Sequence, residues 1–164
     1  MNLPVNGIIV KNVNLTELIP EKLFQDLLEK AFSGFSHITI DSKSSFEESI
    51  IIFSKGKIVG SIYLIDYYNV ELFGKSAINL CFSSFGSQSG ILNLYSLSED
   101  QIKLILIFND KIAYNYNIDK KIISKINFKY NGSEITNLLK DKIIDNDAKK
   151  DIFTRLGLSE LLKV

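Results

Sequence analysis

Arginine is nearly missing from this chain: Arg155 is the only one among 164 residues. Without the guanidinium fork there is no bidentate grip on a carboxylate or phosphate, a grip that lysine cannot reproduce. Histidine and cysteine occur once each, as His37 and Cys81. A single cysteine excludes an intramolecular disulfide and a thiolate metal cage, and no metal or other cofactor is expected. Charge of either sign in excess is also missing, since nineteen basic and nineteen acidic residues cancel. A nucleic-acid binder needs a basic surplus to displace counterions, so no nucleic-acid partner is expected. The longest apolar runs, Ile50 to Phe53 and Leu104 to Phe108, fall far short of the ~20 residues of a membrane span, so no membrane insertion is expected. The opening MNLPVNGIIV has no basic region ahead of a long apolar stretch and does not read as a secretory signal. The expected setting is the cytoplasm.

What is present suffices for a real core: 46% of residues are hydrophobic and 11% aromatic, enough for one ordinary domain with or without a small appendage. Ile8, Ile9, Val10 and Val13 suggest an opening strand. Leu18, Leu23, Phe24, Leu27, Leu28 and Phe32 recur at helical spacing, which predicts a helix from Thr16 or Pro20 to Phe32, ended by Ser33-Gly34. Phe35 to Ile40 reads as a strand. Phe46 to Phe53 and Lys57 to Asp66 read as a hairpin, with Gly56 supplying the positive φ of a tight turn. Tyr67 to Phe73 reads as a loop or ragged strand end, and Gly74 to Phe85 as a helix. Gly86 to Gly90 reads as a flexible break and Ile91 to Leu97 as a further strand. Ser98 and Gln101 form a capping box for a helix through Phe108. Beyond Asn109 the pattern thins. Tyr114 to Ile118 is irregular, Lys121 to Tyr130 fits helix early and strand late, and Ser133 caps a helix reaching Ile144. A polar stretch, Asp145 to Asp151, precedes a last short helix that Gly157 interrupts.

No residue set assembles into an active site. As a general base His37 would need an orienting carboxylate and a nucleophile nearby; flanked by Ser36 and Ile38 in a short strand, it reads as a solvent-facing or hydrogen-bonded strand residue. Cys81 falls on the buried face of its helix, where thiols are inert. Glu99-Asp100 belongs to a helix first turn, where carboxylates favour the dipole. Asp145, Asp147 and Asp151 lack the glycine and terminal glutamate of a calcium loop. Gly74-Lys75-Ser76 matches the end of a phosphate-binding loop, but Asn69 stands where its first glycine belongs, and a helix cap accounts for the tripeptide. Tyr63, Tyr67, Tyr68 and Phe73 cluster at the hairpin end and form the candidate interaction surface, since aromatics bury large area at modest entropy cost. An exposed sheet edge is the other candidate.

Ser33 and Gly34, then Phe53, Gly56, Lys57, Ile58, Val59, Gly60 and Ser61, then Gly74 and Ala77 together resemble the pattern of the PATAN domain, the PatA N-terminal-type module. The chain is closer still to an uncharacterised archaeal family with the same pattern. The likeness spans about Leu15 to Asn109 and departs at Ser61, where alanine is usual, and in the Asp66 to Phe73 connection. It implies an α+β fold: a small antiparallel sheet with a central β-hairpin packed against helices, plus a helical C-terminal extension. Residues 1–110 would form the PATAN-like domain, with 111–164 as a mostly helical extension packed on it. It also implies a non-catalytic adaptor in a regulatory or assembly system, with a protein partner or a second copy as in a homodimer. The alternatives are a small-ligand sensor with its pocket between the sheet and the Gly74 helix, and an enzyme of unrecognised type using carboxylate or lysine chemistry.

Overall fold

The computed structural model describes residues 3–4, 7–41, 46–66, 69–133, 135 and 137. The chain divides into two compact units, Met1–Tyr130 and Asn131–Val164. In the second, only residues 131–133, 135 and 137 are described. There Gly132, Ser133, Ile135 and Asn137 are helical, and Asn131 accepts from Ser133 N–H at 3.1 Å, so that helix begins a residue ahead of the expected cap at Ser133. The remainder of the helix expected to reach Ile144, the acidic stretch and the last helix lie outside the described residues.

In chain order the first unit contains β1 (Gly7–Asn14), α1 (Pro20–Glu29), β2 (Gly34–Asp41), β3 (Phe46–Ser54), β4 (Lys57–Ile65), β5 (Val70–Phe73), α2 (Ile78–Ser84), β6 (Gly90–Ser96), α3 (Glu99–Phe108), β7 (Ala113–Tyr116) and α4 (Lys120–Ile123). The strands form one sheet in the order β1-β6-β2-β3-β4-β5, with β7 also on β4, and each pairing is antiparallel. The fold is therefore α+β.

The hairpin forms where the sequence places it. Ser54 pairs with Lys57, and the two loop residues Lys55 and Gly56 have φ of 50° and 79°, the double positive φ that matches the twist of the flanking strands. Gly56 N–H donates to the Phe32 carbonyl at 2.8 Å, so the turn is pinned beneath the end of α1.

The start and end of α1 differ from expectation. Pro20 occupies the first helical turn, the position where its missing N–H costs nothing. Asn14, not Thr16, does the upstream capping, accepting from Thr16 N–H at the start of a short 3-10 turn. Ala31 at φ 46° makes the C-terminal stop. Phe32 N–H bonds to the Leu27 carbonyl at 2.9 Å and Ala31 N–H to Leu28 at 3.1 Å, the paired bonds of a Schellman motif. Gly34 is needed for another reason. Its φ is 153°, and a Cβ there would stand 2.0 Å from the Tyr95 carbonyl oxygen.

Alternation along the strands sorts the core into two layers. Phe35, Ile50, Ile52 and Ile62 pack with Ile102 and Ile105 of α3. The intervening residues face α1 and α2, where Phe24 meets Phe53, Phe82 and Phe85 with ring centroids 5.1 to 6.0 Å apart. Helices thus cover both sheet faces.

Beyond α3 the chain returns to the sheet. β7 runs beside Ile58 to Gly60 of β4, while β5 pairs with Ile62 to Ile65 of the same strand. Two four-residue strands therefore share one edge end to end: β5 falls where a loop or ragged strand end was expected, and β7 where the sequence read as irregular. The compact unit continues to Tyr130.

Candidate functional site

Of the four hairpin-end aromatics, Tyr63 and Phe73 are among the described residues. Tyr63 is fully buried, because its place in β4 points it towards α2, and its hydroxyl donates to Glu47. It is unavailable to a partner, which corrects its place in the candidate surface. Phe73 is half-buried, packs against the α3 core cluster, and carries the Lys111 ammonium 4.0 Å from its ring centroid. Tyr67 and Tyr68 lie outside the described residues.

Glu47, which in the sequence stands out only as half of the acidic pair Glu47-Glu48, is the polar residue at the centre of a buried cluster. It lies inside β3 at 1% exposure. Both its oxygens accept from the Tyr130 hydroxyl, at 2.9 and 3.1 Å, and one also accepts from Tyr63. A buried carboxylate without hydrogen bonds would cost several kcal/mol, and two tyrosine donors satisfy this one. Burial, and after it the bond to Glu47, holds the Tyr63 phenol proton far above its usual range, so Tyr63 stays a donor. The signal was available: Glu47, Ser49, Ile51 and Phe53 share the strand face that meets α1 and α2. With the Tyr130 hydroxyl over it, this cluster is closed to solvent and organises the core.

Cys81 lies deeper still, fully buried, with its sulfur 3.2 Å from the Ile62 carbonyl oxygen. Burial pushes its thiol up to about 12, so no thiolate forms near neutrality. His37 bonds to Glu48 at 3.2 Å across the strand pair, in keeping with the hydrogen-bonded reading. Gly74 to Ser76 form a 3-10 turn leading into α2. Ser61, where the PATAN pattern has alanine, donates its hydroxyl to the Gly74 carbonyl at 2.8 Å and so joins two segments of the motif.

Among the described residues no group of three or more His, Cys, Asp or Glu is placed to hold a metal ion. No described helix is long and apolar enough to cross a membrane.

The surface feature that stands out is α3. The capping box holds its start: Gln101 N–H donates to the Ser98 hydroxyl, and Ser98 N–H to the Gln101 side chain. Glu99 accepts hydroxyl hydrogens from Ser33 and Ser54, which ties the helix to the hairpin turn. These two bonds, that to Ser33 first, hold the Glu99 carboxyl below the ordinary carboxylate range. Ile102 and Ile105 point into the core, yet Leu104, Ile107 and Phe108 are 52, 71 and 79% exposed. The spacing of those three makes a second apolar stripe on the opposite side of the helix. Beside it runs a groove of about 290 Å³ walled by Leu3, Pro4, Leu104 and Phe108. The run from Leu104 to Phe108 carried this signal, since five successive apolar residues on a helix cannot all face one way.

The sheet edges are less inviting. β1 is interrupted by register shifts after Ile8 and Val10, carries Lys11, and bends at Asn12 with φ 53°, devices that blunt strand pairing. The opposite edge is divided between β5 and β7.

Fold and surface together describe an antiparallel sheet layered between helices, with the buried Glu47 carboxylate paired inside it and, among the described residues, an uncovered apolar face on α3. Residues 1–109 match the family described as an uncharacterized protein conserved in archaea (DUF2226), and the chain belongs to that family. No curated protein and no solved structure matches the chain.

Proposed function

We propose that this chain is a non-catalytic protein-interaction module, an adaptor in a regulatory or assembly system of the cytoplasm, and that α3 carries its binding face. The observation behind this reading is the outward stripe Leu104, Ile107 and Phe108. A helix apolar on two opposite sides is built to be covered on both, and contiguous exposed apolar surface marks interaction sites. The PATAN likeness, in the segments around Gly34, Gly56 and Gly74, points the same way, because those modules resemble scaffolds for partners.

Site-specific photo-crosslinking in the native cell tests this reading. A photoreactive residue at Ile107 is expected to give a discrete adduct, either with another protein or with a second copy. The same residue at Lys22, on the solvent side of α1, is expected to give none. No adduct at Ile107 overturns the proposal.

A further inference from the structure

On the sheet face opposite α3, the chain after α4 lies as a strap across α1 and α2. Asn127 to Tyr130 belong to no helix or strand. Phe128 enters the aromatic cluster, 5.3 Å from Phe24, 6.2 Å from Phe82 and 6.3 Å from Phe85 between ring centroids. Two residues on, the Tyr130 hydroxyl reaches Glu47. Residues two apart on an extended chain point the same way, so ring and hydroxyl enter side by side. Gly86 clears the path, because a Cβ there would stand 1.9 Å from the Phe128 carbonyl oxygen.

We propose that Ile126–Tyr130 is a releasable strap, filling in cis a groove that accepts an extended Phe-x-Tyr peptide segment in trans. The groove offers what such a segment requires: a pocket of phenylalanine rings, a buried carboxylate acceptor one step along, and a glycine where the backbone passes. The strap's own sequence, Asn127-Phe128-Lys129-Tyr130, displays the matching pattern. Its release dismantles no strand ladder. A cleft of about 340 Å³ opens beside the strap, lined by Ile126 to Lys129 on one side and by Leu15 and Leu18 among others, which leaves an incoming chain a way in. When the strap leaves, Tyr63 still donates to Glu47, so the carboxylate is not orphaned.

The cis segment competes at high effective concentration, and the apparent affinity for a peptide falls in proportion to the fraction open. This inference stands apart from the α3 reading, since the two surfaces lie on opposite faces of the sheet.

The probe is a fluorescein-labelled peptide of the sequence Lys125 to Tyr130, followed by fluorescence anisotropy with the full chain. In Phe128→Ala the cis competitor is weakened, and binding at least about tenfold tighter than to wild type is expected. The same peptide with alanine for its phenylalanine is expected not to bind. A folded Phe128→Ala chain that binds no better than wild type overturns the proposal. Hydrogen exchange on the wild-type chain tests it without any substitution: the amides of Asn127 to Tyr130 are expected to exchange far faster than those of β3 and β4. Protection equal to those strands overturns it.

Discussion

Glu47 shows how one side chain constrains this core. It brings a carboxylate between two phenols: removing the Tyr130 hydroxyl strips Oε1 of its phenol donor, and removing that of Tyr63 leaves Oε2 with only the bond from Tyr130. Tyr63→Phe deletes one hydroxyl at almost constant shape and is expected to cost about 1–3 kcal/mol, measured by urea unfolding. Because Tyr63 and Tyr130 share the acceptor, the double variant with Tyr130→Phe is expected to depart from additivity. Additive losses would show that the two hydroxyls do not act on one carboxylate. Cys81 gives a second residue-scale test. Fully buried and with its thiol raised to about 12, it is expected to react with a maleimide only at the rate of global unfolding. Labelling at the rate of a free thiol would contradict the packing of α2 on the sheet. The burial of Cys81 was legible from helix periodicity. That of Tyr63 was not, because its neighbours Tyr67 and Tyr68 suggested an aromatic rim. Strand parity, which puts Tyr63 on the same face as Ser61 and Ile65, was the competing signal and the one the fold obeys.

Elements were read best where a local rule fixes them. Lys55-Gly56 dictates the hairpin and the Ser98–Gln101 box dictates the start of α3, and both are decided within four residues of sequence. The end of α1 was misplaced because glycine is the usual left-handed residue and Gly34 stood nearby. The chain instead holds Ala31 at φ 46°. A non-glycine residue there costs roughly 1–2 kcal/mol, so Ala31→Gly is expected to stabilise the protein, by up to about 1 kcal/mol once the added freedom of the unfolded chain is counted. An unchanged or lower urea midpoint would refute the Schellman stop. At the other helix, Glu99 joins α3 to the hairpin through Ser33 and Ser54. Its carboxyl is held below the ordinary range in the folded chain, so its contribution is present above the unfolded pKa near 4.5 and is lost as pH falls through the lower folded value. Glu99→Gln is therefore expected to be less stable than wild type near neutrality and to converge with it in acid. A stability difference independent of pH would mean that the ionised carboxylate is not what holds the turn.

For the whole molecule, two arrangements could not be read from local pattern: the division of one β4 edge between β5 and β7, and the return of the chain across α1 and α2. Ala113 to Tyr116 has four residues of weak alternation, and its partner lies more than fifty positions earlier. Only the tertiary contact makes it a strand. The same holds for Phe128 and Tyr130, whose roles depend on Phe24, Phe82 and Glu47. The family match ends at residue 109, yet the sheet, the aromatic cluster and the Glu47 network all draw on residues beyond it. Ile112 is fully buried and Phe128 nearly so. A chain cut after Asn109 loses β7, the Phe128 ring and the Tyr130 hydroxyl at once. Removing a buried phenylalanine alone costs about 3–5 kcal/mol, comparable to much of the 5–15 kcal/mol that stabilises a typical domain. The 1–109 fragment is therefore expected to lack a cooperative thermal transition, whereas 1–130 is expected to unfold cooperatively with the far-ultraviolet signature of mixed sheet and helix. Cooperative unfolding of 1–109 at the wild-type midpoint would place the structural boundary back at the family boundary and leave residues 110–130 as a surface appendage.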